Sequence, residues 1–229
     1  GTHGKTTTTS MISTILLAAD ADPTISVGGI LPAIGGNIRV GGSETFLTEA
    51  CEYTNSFLHF FPTIGIILNI EEDHMDFFKD LADIRHSFHR FAGLLPENGL
   101  LIINSDIENY QEITDGLAEA DYHAEHVTYD ESAHATFRVI KHGKPGQEYH
   151  LNVPGAHNVL NALASIALAD SLHIAPEIIR KGLMNFSGTD RRFQYKGEMN
   201  GFTIIDDYAH HPTEIKATLH AAQHYPHRE

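Results

Sequence analysis

With 229 residues, 41% of them hydrophobic, the chain is long enough for one large domain, or for one domain and part of a second. Asp and Glu total 30 against 15 Lys and Arg, and the net charge of −15 argues against a general affinity for nucleic acid or an anionic membrane surface. Cys51 is the single cysteine, so no internal disulfide can form. No signal peptide or apolar run of membrane-spanning length is visible, and a cytoplasmic location is expected.

The chain opens on Gly1-Thr2-His3-Gly4-Lys5-Thr6-Thr7, followed by apolar residues at Met11, Ile12, Ile15, Leu16 and Ala19, a helical period. A glycine loop thus opens a helix. Thr24 to Ile30 and Thr45 to Ala50 read as short strands, and Ile64 to Ile70 as a strand buried on both faces. Leu81 to Leu95 has helical spacing and stops at Pro96-Glu97-Asn98-Gly99; Leu100 to Asn104 then reads as a strand and Glu108 to Leu117 as a helix. From Tyr122 to Val153 strand follows strand, with a turn at Gly143 to Gly146. Helices return at Ala156 to Leu172 and Pro176 to Phe186. Phe202 to Tyr208 is a strand ending in acids, and a helix runs from Pro212 to about His224.

This alternation predicts an α/β domain: a P-loop-type, mostly parallel sheet flanked by helices, with a small antiparallel patch. Residues 191–229 read as the first βα unit of a second, Rossmann-like domain, too short to bury a core of its own. The expected division is therefore 1–190 and 191–229, with the first strand before the loop and the rest of the second domain missing.

Gly1-x-x-Gly4-Lys5-Thr6 matches the later part of a P-loop. Backbone N–H groups at such a helix start cradle phosphates, Lys5 reaches the terminal phosphates as a point charge, and the Thr6 hydroxyl can ligate Mg²⁺. A metal-holding acid is expected at a neighbouring strand end, where Glu49 and Glu52 lie, and either can serve. The run Asn69-Ile70-Glu71-Glu72-Asp73-His74-Met75-Asp76 closes a buried strand with four carboxylates and an imidazole, a density that points to divalent cations.

His157, Asn158 and Asn161 open a helix at spacings that share a face and suit recognition of a base or sugar. Asn158 also suits a helix cap, while Asn161, in an otherwise apolar helix, asks for a partner. Arg191 and Arg192 can clamp a phosphoryl group or be an ordinary surface pair. Asp206-Asp207-Tyr208-Ala209-His210-His211-Pro212 gathers two acids, a phenol and two imidazoles in one turn. Most of the 17 histidines, among them His134, His142 and His150, stand singly in polar stretches and read as surface residues rather than metal ligands.

In their order along the whole chain these strings resemble the Mur ligases of bacterial cell-wall synthesis. Gly-Thr-His-Gly-Lys-Thr with His3 is similar to the alanine-adding and murein-peptide-recycling branches of that family. Glu49-Ala50-Cys51-Glu52-Tyr53 with Ser56-Phe57-Leu58, Asn69-Ile70-Glu71, Asp73-His74-Met75-Asp76 and Asp206 to Pro212 lean to the alanine-adding branch. The resemblance implies an ATP- and Mg²⁺-dependent ligase joining L-alanine to UDP-N-acetylmuramate through an acyl phosphate, with no nucleic-acid or membrane partner. It gives Gly1 to Thr7 to the phosphates, with Lys5 on β and γ, and Thr6, Glu49 and His74 to Mg²⁺. Asn161 with His157 and Asn158 goes to adenine, Arg191 or Arg192 to the transferring phosphoryl group, and Tyr208 and His210 to the nucleotide and amino acid. A fragment of such an enzyme is expected to be inactive alone. A tripeptide-recycling ligase and a P-loop NTPase that forms no amide are the alternatives.

Overall fold

The computed structural model describes residues 1–114 and 121–225. Contacts divide the chain into two compact units, Gly1–Lys5 with Glu49–Asp121, and Thr6–Thr48 with Tyr122–Glu229. The helix after the loop, α1 (Lys5–Ala18), begins at that division. The segment from 191 on falls in the second unit together with the preceding antiparallel strands.

In the first unit a parallel pair, β4 (Ile64–Ile67) and β5 (Leu100–Ile103), stands in register Ile64 to Leu100 through Ile67 to Ile103. The apolar run continues to Ile70, yet the strand ends at Ile67, which leaves Leu68 to Ile70 irregular and free to bend toward the loop. Helix α2 (Leu81–Ala92) starts where the Asp80 carboxylate accepts from the Asp83 N–H, and it turns Ile84, Phe88 and Phe91 inward at helical spacing. Phe57 stacks flat on Phe91 at 5.0 Å and meets Phe88 edge-on at 5.2 Å, with Ile67, Phe78, Ile107 and Ile113 closing this core. Of the expected helix at Glu108 to Leu117, α3 (Gln111–Thr114) is the described helical part; Asp115, Gly116 and Leu117 lie outside the described residues.

The second unit holds β1 (Thr24–Leu31), paired antiparallel with β2 (Gly36–Arg39) and parallel with β3 (Phe46–Thr48). It also holds the antiparallel patch β6 (Tyr122–Tyr129), β7 (His134–Lys141) and β8 (Lys144–Pro154). The β7–β8 turn is tighter than expected: Lys141 pairs with Lys144, so Pro145 and Gly146 belong to the strand. Helices α4 (His157–Ser171) and α5 (Pro176–Asn185) follow. The core joins Met11 and Ile15, Ile25 and Val27, Phe137 and Val139, Leu151, Ala162 and Ile166, and Ile179 and Leu183. Full burial of such side chains contributes roughly 1.5–3 kcal/mol each. Gly182 lets α5 lie directly on α1, since a Cβ there would stand 2.4 Å from the Ile15 Cα.

The chain closes on β9 (Gln194–Met199), β10 (Phe202–Asp206) and α6 (Pro212–His224). β9 and β10 form an antiparallel hairpin, so the strand of the expected βα unit, β10, has an antiparallel partner and is followed by α6. Among the described residues the parallel pairings are β1 with β3 and β4 with β5, one in each unit. The mixed α/β content is as expected. No described helix is long and apolar enough to cross a membrane.

Candidate functional site

Gly4 has φ +80, a backbone setting that glycine adopts without strain, and it delivers the chain into α1 with Lys5 as the first helical residue. The Lys5 ammonium is folded back on its own loop. Its Nζ donates to Gly1 O at 2.5 Å and Thr2 O at 3.1 Å, and to Glu52 Oε1 and Oε2 at 3.2 and 3.3 Å. Glu52 is only 2% exposed, so Lys5 is the countercharge that makes its burial tolerable. Glu49 is half-buried and Cys51 exposed. Of the two acids left open by sequence, Glu52 is thus the one aimed at the loop lysine.

His3 is held by the far end of β4. Its N–H donates to Asn69 Oδ1 at 2.9 Å, and Asn69 Nδ2 lies 2.9 Å from His3 O and 3.0 Å from His3 Nδ1. An amide nitrogen only donates, so His3 Nδ1 accepts and the ring proton sits on Nε2, facing Glu71 Oε1 at 2.8 Å. The Glu71 N–H in turn donates to Thr2 Oγ1 at 3.1 Å. Asn69 and Glu71 were legible as part of an acidic run, and their role as clamps on the loop was not. That role depends on β4 ending early.

His74 takes φ +54 and stacks on Tyr53 at 4.5 Å, while its N–H donates to Asp73 Oδ1 at 2.8 Å. The Tyr53 hydroxyl donates to Asp76 Oδ2 at 2.7 Å. That bond lowers the Asp76 carboxyl below its usual value and raises the phenol above its own. Thr54 and Asn55, at φ +54 and +58, make the turn that carries the chain from buried Glu52 and exposed Tyr53 to buried Phe57. Two successive left-handed non-glycine residues store strain, a feature that clusters at functional sites.

The second unit carries the remaining candidates. Thr6 is buried and Thr7 half-buried on the first turn of α1. A Cβ added at Gly29 would crowd the methyl groups of Thr189 and Thr6 at 2.8 and 3.3 Å, so β1 passes close to both. Thr189 Oγ1 donates to Ser10 Oγ at 3.0 Å and the Asp190 N–H to Ile30 O at 3.1 Å, which anchors the segment leading to the arginines. Nothing local in the sequence marks Thr189 as an anchor.

Arg191 and Arg192 converge on Tyr208, their guanidinium carbons 4.7 and 5.8 Å from the ring centroid. The Tyr208 N–H donates to Arg191 O at 2.8 Å, and Asp207 accepts from the N–H groups of Phe193 and Ala209, both at 2.7 Å. His210 lies beside Tyr208, ring to ring at 5.1 Å, with Nδ1 3.0 Å from Tyr208 O. Glu214 ties this turn down: it completes a capping box with His211 and stands 3.6 Å from both Arg192 Nη1 and His210 Nδ1.

On α4, Asn161 Nδ2 donates to Asn158 Oδ1 at 3.0 Å and Asn158 Nδ2 to Pro154 O at 2.8 Å; both are 6% exposed. The partner Asn161 asks for is therefore Asn158. Asn158 itself donates backward to Pro154 and does not cap the helix. His157 is exposed beside them.

Residues 1–169 match the family model of the Mur ligase middle domain, and 191–229 that of the Mur ligase, glutamate ligase domain. The chain belongs to the Mur ligase family. It is 60% identical, over 99% of its length, to the UDP-N-acetylmuramate–L-alanine ligase of Agathobacter rectalis, of which it covers 52%. Among solved structures it is similar to the UDP-N-acetylmuramate-alanine ligase MurC of Thermotoga maritima: TM-score 0.86, 34% identity, 98% of this chain and 53% of that one. A murein peptide ligase of Psychrobacter arcticus gives TM-score 0.76 and 27% identity over 97% of this chain and 53% of that one. This Mur ligase chain thus spans about half the length of the curated relatives it matches.

Proposed function

We propose that this chain is the nucleotide-handling part of an enzyme that joins L-alanine to UDP-N-acetylmuramate at the expense of ATP, in the cytoplasm. The observation that carries the reading is the arrangement of Lys5: an ammonium at a helix start, held by loop carbonyls and one buried carboxylate. Such an ammonium can exchange carbonyl oxygens for phosphate oxygens with little change of place. The 60% identity to an L-alanine ligase supports the choice of amino acid. Residues 1–190 would then be the central ATP-binding domain and 191–229 the start of the C-terminal one, in keeping with the two family domains matched.

A divalent cation would suit the oxygen donors of this segment, the buried Glu52 carboxylate first among them. Glu52 and His74 would hold Mg²⁺, with Glu49 nearer the surface; Thr6 and Thr7 follow Lys5 as further hydroxyl donors to cation and phosphate. The ion would neutralise the phosphate charge. In the reaction a muramoyl carboxylate oxygen bonds to the γ-phosphorus as ADP leaves. The alanine amine then attacks the acyl carbonyl, and phosphate and a proton depart. Lys5 would follow the charge that moves onto the β–γ bridge. Asn69, Glu71 and His3 would keep the loop in position. Arg191 or Arg192, oriented by Tyr208, would meet the transferred phosphoryl group, and His210 the incoming amine. Asn161 with Asn158 and His157 would recognise the adenine edge.

The test is phosphate release by the full-length protein from ATP and Mg²⁺, with and without UDP-N-acetylmuramate, each amino acid and the tripeptide being offered separately. Release that requires both the sugar and L-alanine is expected. Dependence on tripeptide instead, or release without the sugar, would overturn the reading.

A further inference from the structure

Asp130, His134 and His150, scattered in the sequence, come together on the outer face of the antiparallel patch. Their candidate ligand atoms all lie within 4.8 Å of one another. The cause is strand geometry. Side chains at 134 and 136 share the face of β7 opposite buried Ala135 and Phe137, and His150 of β8 pairs across from Thr136. An irregular register between His134 and Thr136 accompanies the approach of the two imidazoles, whose rings stand perpendicular with centroids 6.3 Å apart.

Each group is already oriented. Asp130 Oδ1 accepts the N–H groups of Ser132 and His134, both at 2.9 Å, which leaves Oδ2 facing His134 Nδ1 at 3.2 Å. That separation is close to the ~3.3 Å edge of a tetrahedron with bonds of about 2.0 Å from metal to nitrogen or oxygen. Thr136 Oγ1 bonds to His150 Nδ1 at 2.9 Å and so orients the ring. A hydrogen bond behind a ligating imidazole is the usual means of setting its direction. The turn itself is closed by the Asp130 N–H to His134 O at 3.1 Å and the Ala133 N–H to Asp130 O at 3.0 Å.

We propose that Asp130, His134 and His150 form a binding site for a borderline divalent transition metal such as Zn²⁺ or Ni²⁺, separate from the Mg²⁺ of the ligase reaction. Two nitrogens and one oxygen select against Mg²⁺, which prefers oxygen donors, and leave coordination positions for water. The ion replaces the proton shared by His134 and Asp130. Its effect is to brace the β6–β7 turn against β8. Tyr129 and Ala133 of this turn, with Gly155, also line the small cavity closed by His220, Ala221 and His224 of α6, so the brace bears on the surface that receives α6.

The test uses the full-length protein, stripped with EDTA and then saturated with Mg²⁺ and ATP, titrated with Zn²⁺ and Ni²⁺ by calorimetry, with Co²⁺ absorption as the signature of the ligand set. One equivalent bound in the micromolar range is expected, and at least about a tenfold loss of affinity in H134A and in H150A. H142A serves as the control and should bind as the wild type does. Asp130→Asn keeps the acceptor that closes the turn and loses the charged ligand, so it gives a second, fold-sparing readout. Bound metal should raise the unfolding midpoint of the wild type and not of the variants. Equal affinity in wild type and in all three variants, or binding of the wild type only at millimolar metal, would overturn the proposal.

Discussion

The polar groups around Lys5 and those around Tyr208 are held together in opposite ways. Lys5 meets Glu52 across 47 positions, His3 meets Asn69 and Glu71 across 66 and 68, and Thr2 meets Glu71 across 69. These bonds are partly buried. Around Tyr208 the ties are shorter in sequence: His210 to Tyr208 across two positions and to Glu214 across four, both exposed, and Asp207 to Phe193 across 14, partly buried. The first cluster exists only when distant segments have folded together, so its residues carry stability as well as chemistry. The second rests on a turn and a helix cap, and its side chains can be removed with little consequence for the fold.

Lys5→Ala is the strongest probe of this difference. It should lower ATP-dependent phosphate release by about 10²–10³. It should also destabilise the protein by about 1–3 kcal/mol, because Glu52 stays buried without its countercharge. Adding Glu52→Gln should restore much of the unfolding midpoint and none of the turnover. Release and midpoint measured on both variants check this, and wild-type release in either would remove the loop from the reaction. Next in size, Glu52→Gln alone should raise the Mg²⁺ concentration for half-maximal rate by about tenfold or more, and Glu49→Gln by much less. The reverse order would give the metal to Glu49. Asn69→Ala, which removes three contacts to His3, should raise the KM for ATP by about tenfold and lower the midpoint by a few degrees. An unchanged KM with a lowered midpoint would make the clamp purely structural.

What could be read in advance follows the same line. The loop, α1 and the β4 run were legible because each is written in consecutive residues with its own period. The choice between Glu49 and Glu52 was not, since both sit at a strand end, and the turn through left-handed Thr54 and Asn55 that buries Glu52 obeys no local rule. β2 and β9 carry no sequence signal: Gly36–Arg39 is short and partly exposed, and Gln194–Met199 has no buried face to impose an apolar alternation. β10 is legible as a strand, but a strand's sequence does not name its partner, and the partner is antiparallel β9. His134 and His150 looked solitary for that same reason, because only the β7–β8 pairing makes them neighbours.

The smallest effect should come from the exposed cluster, and it separates two uses of one ring. Arg191 and Arg192 lie over Tyr208, so the ring face is a platform that orients them, and the hydroxyl is a separate group whose use by a ligand can be tested apart from the face. Replacing a face costs on the order of 0.5–2 kcal/mol of cation–π attraction. Tyr208→Ala should therefore lower turnover by several-fold and move the midpoint by less than about 2 °C, whereas Tyr208→Phe should keep most of the activity. If Tyr208→Phe loses as much as Tyr208→Ala, the hydroxyl touches the substrate and the platform is incidental. A fall of many degrees in the midpoint of either variant would show that this cluster, like the one around Lys5, holds the fold together.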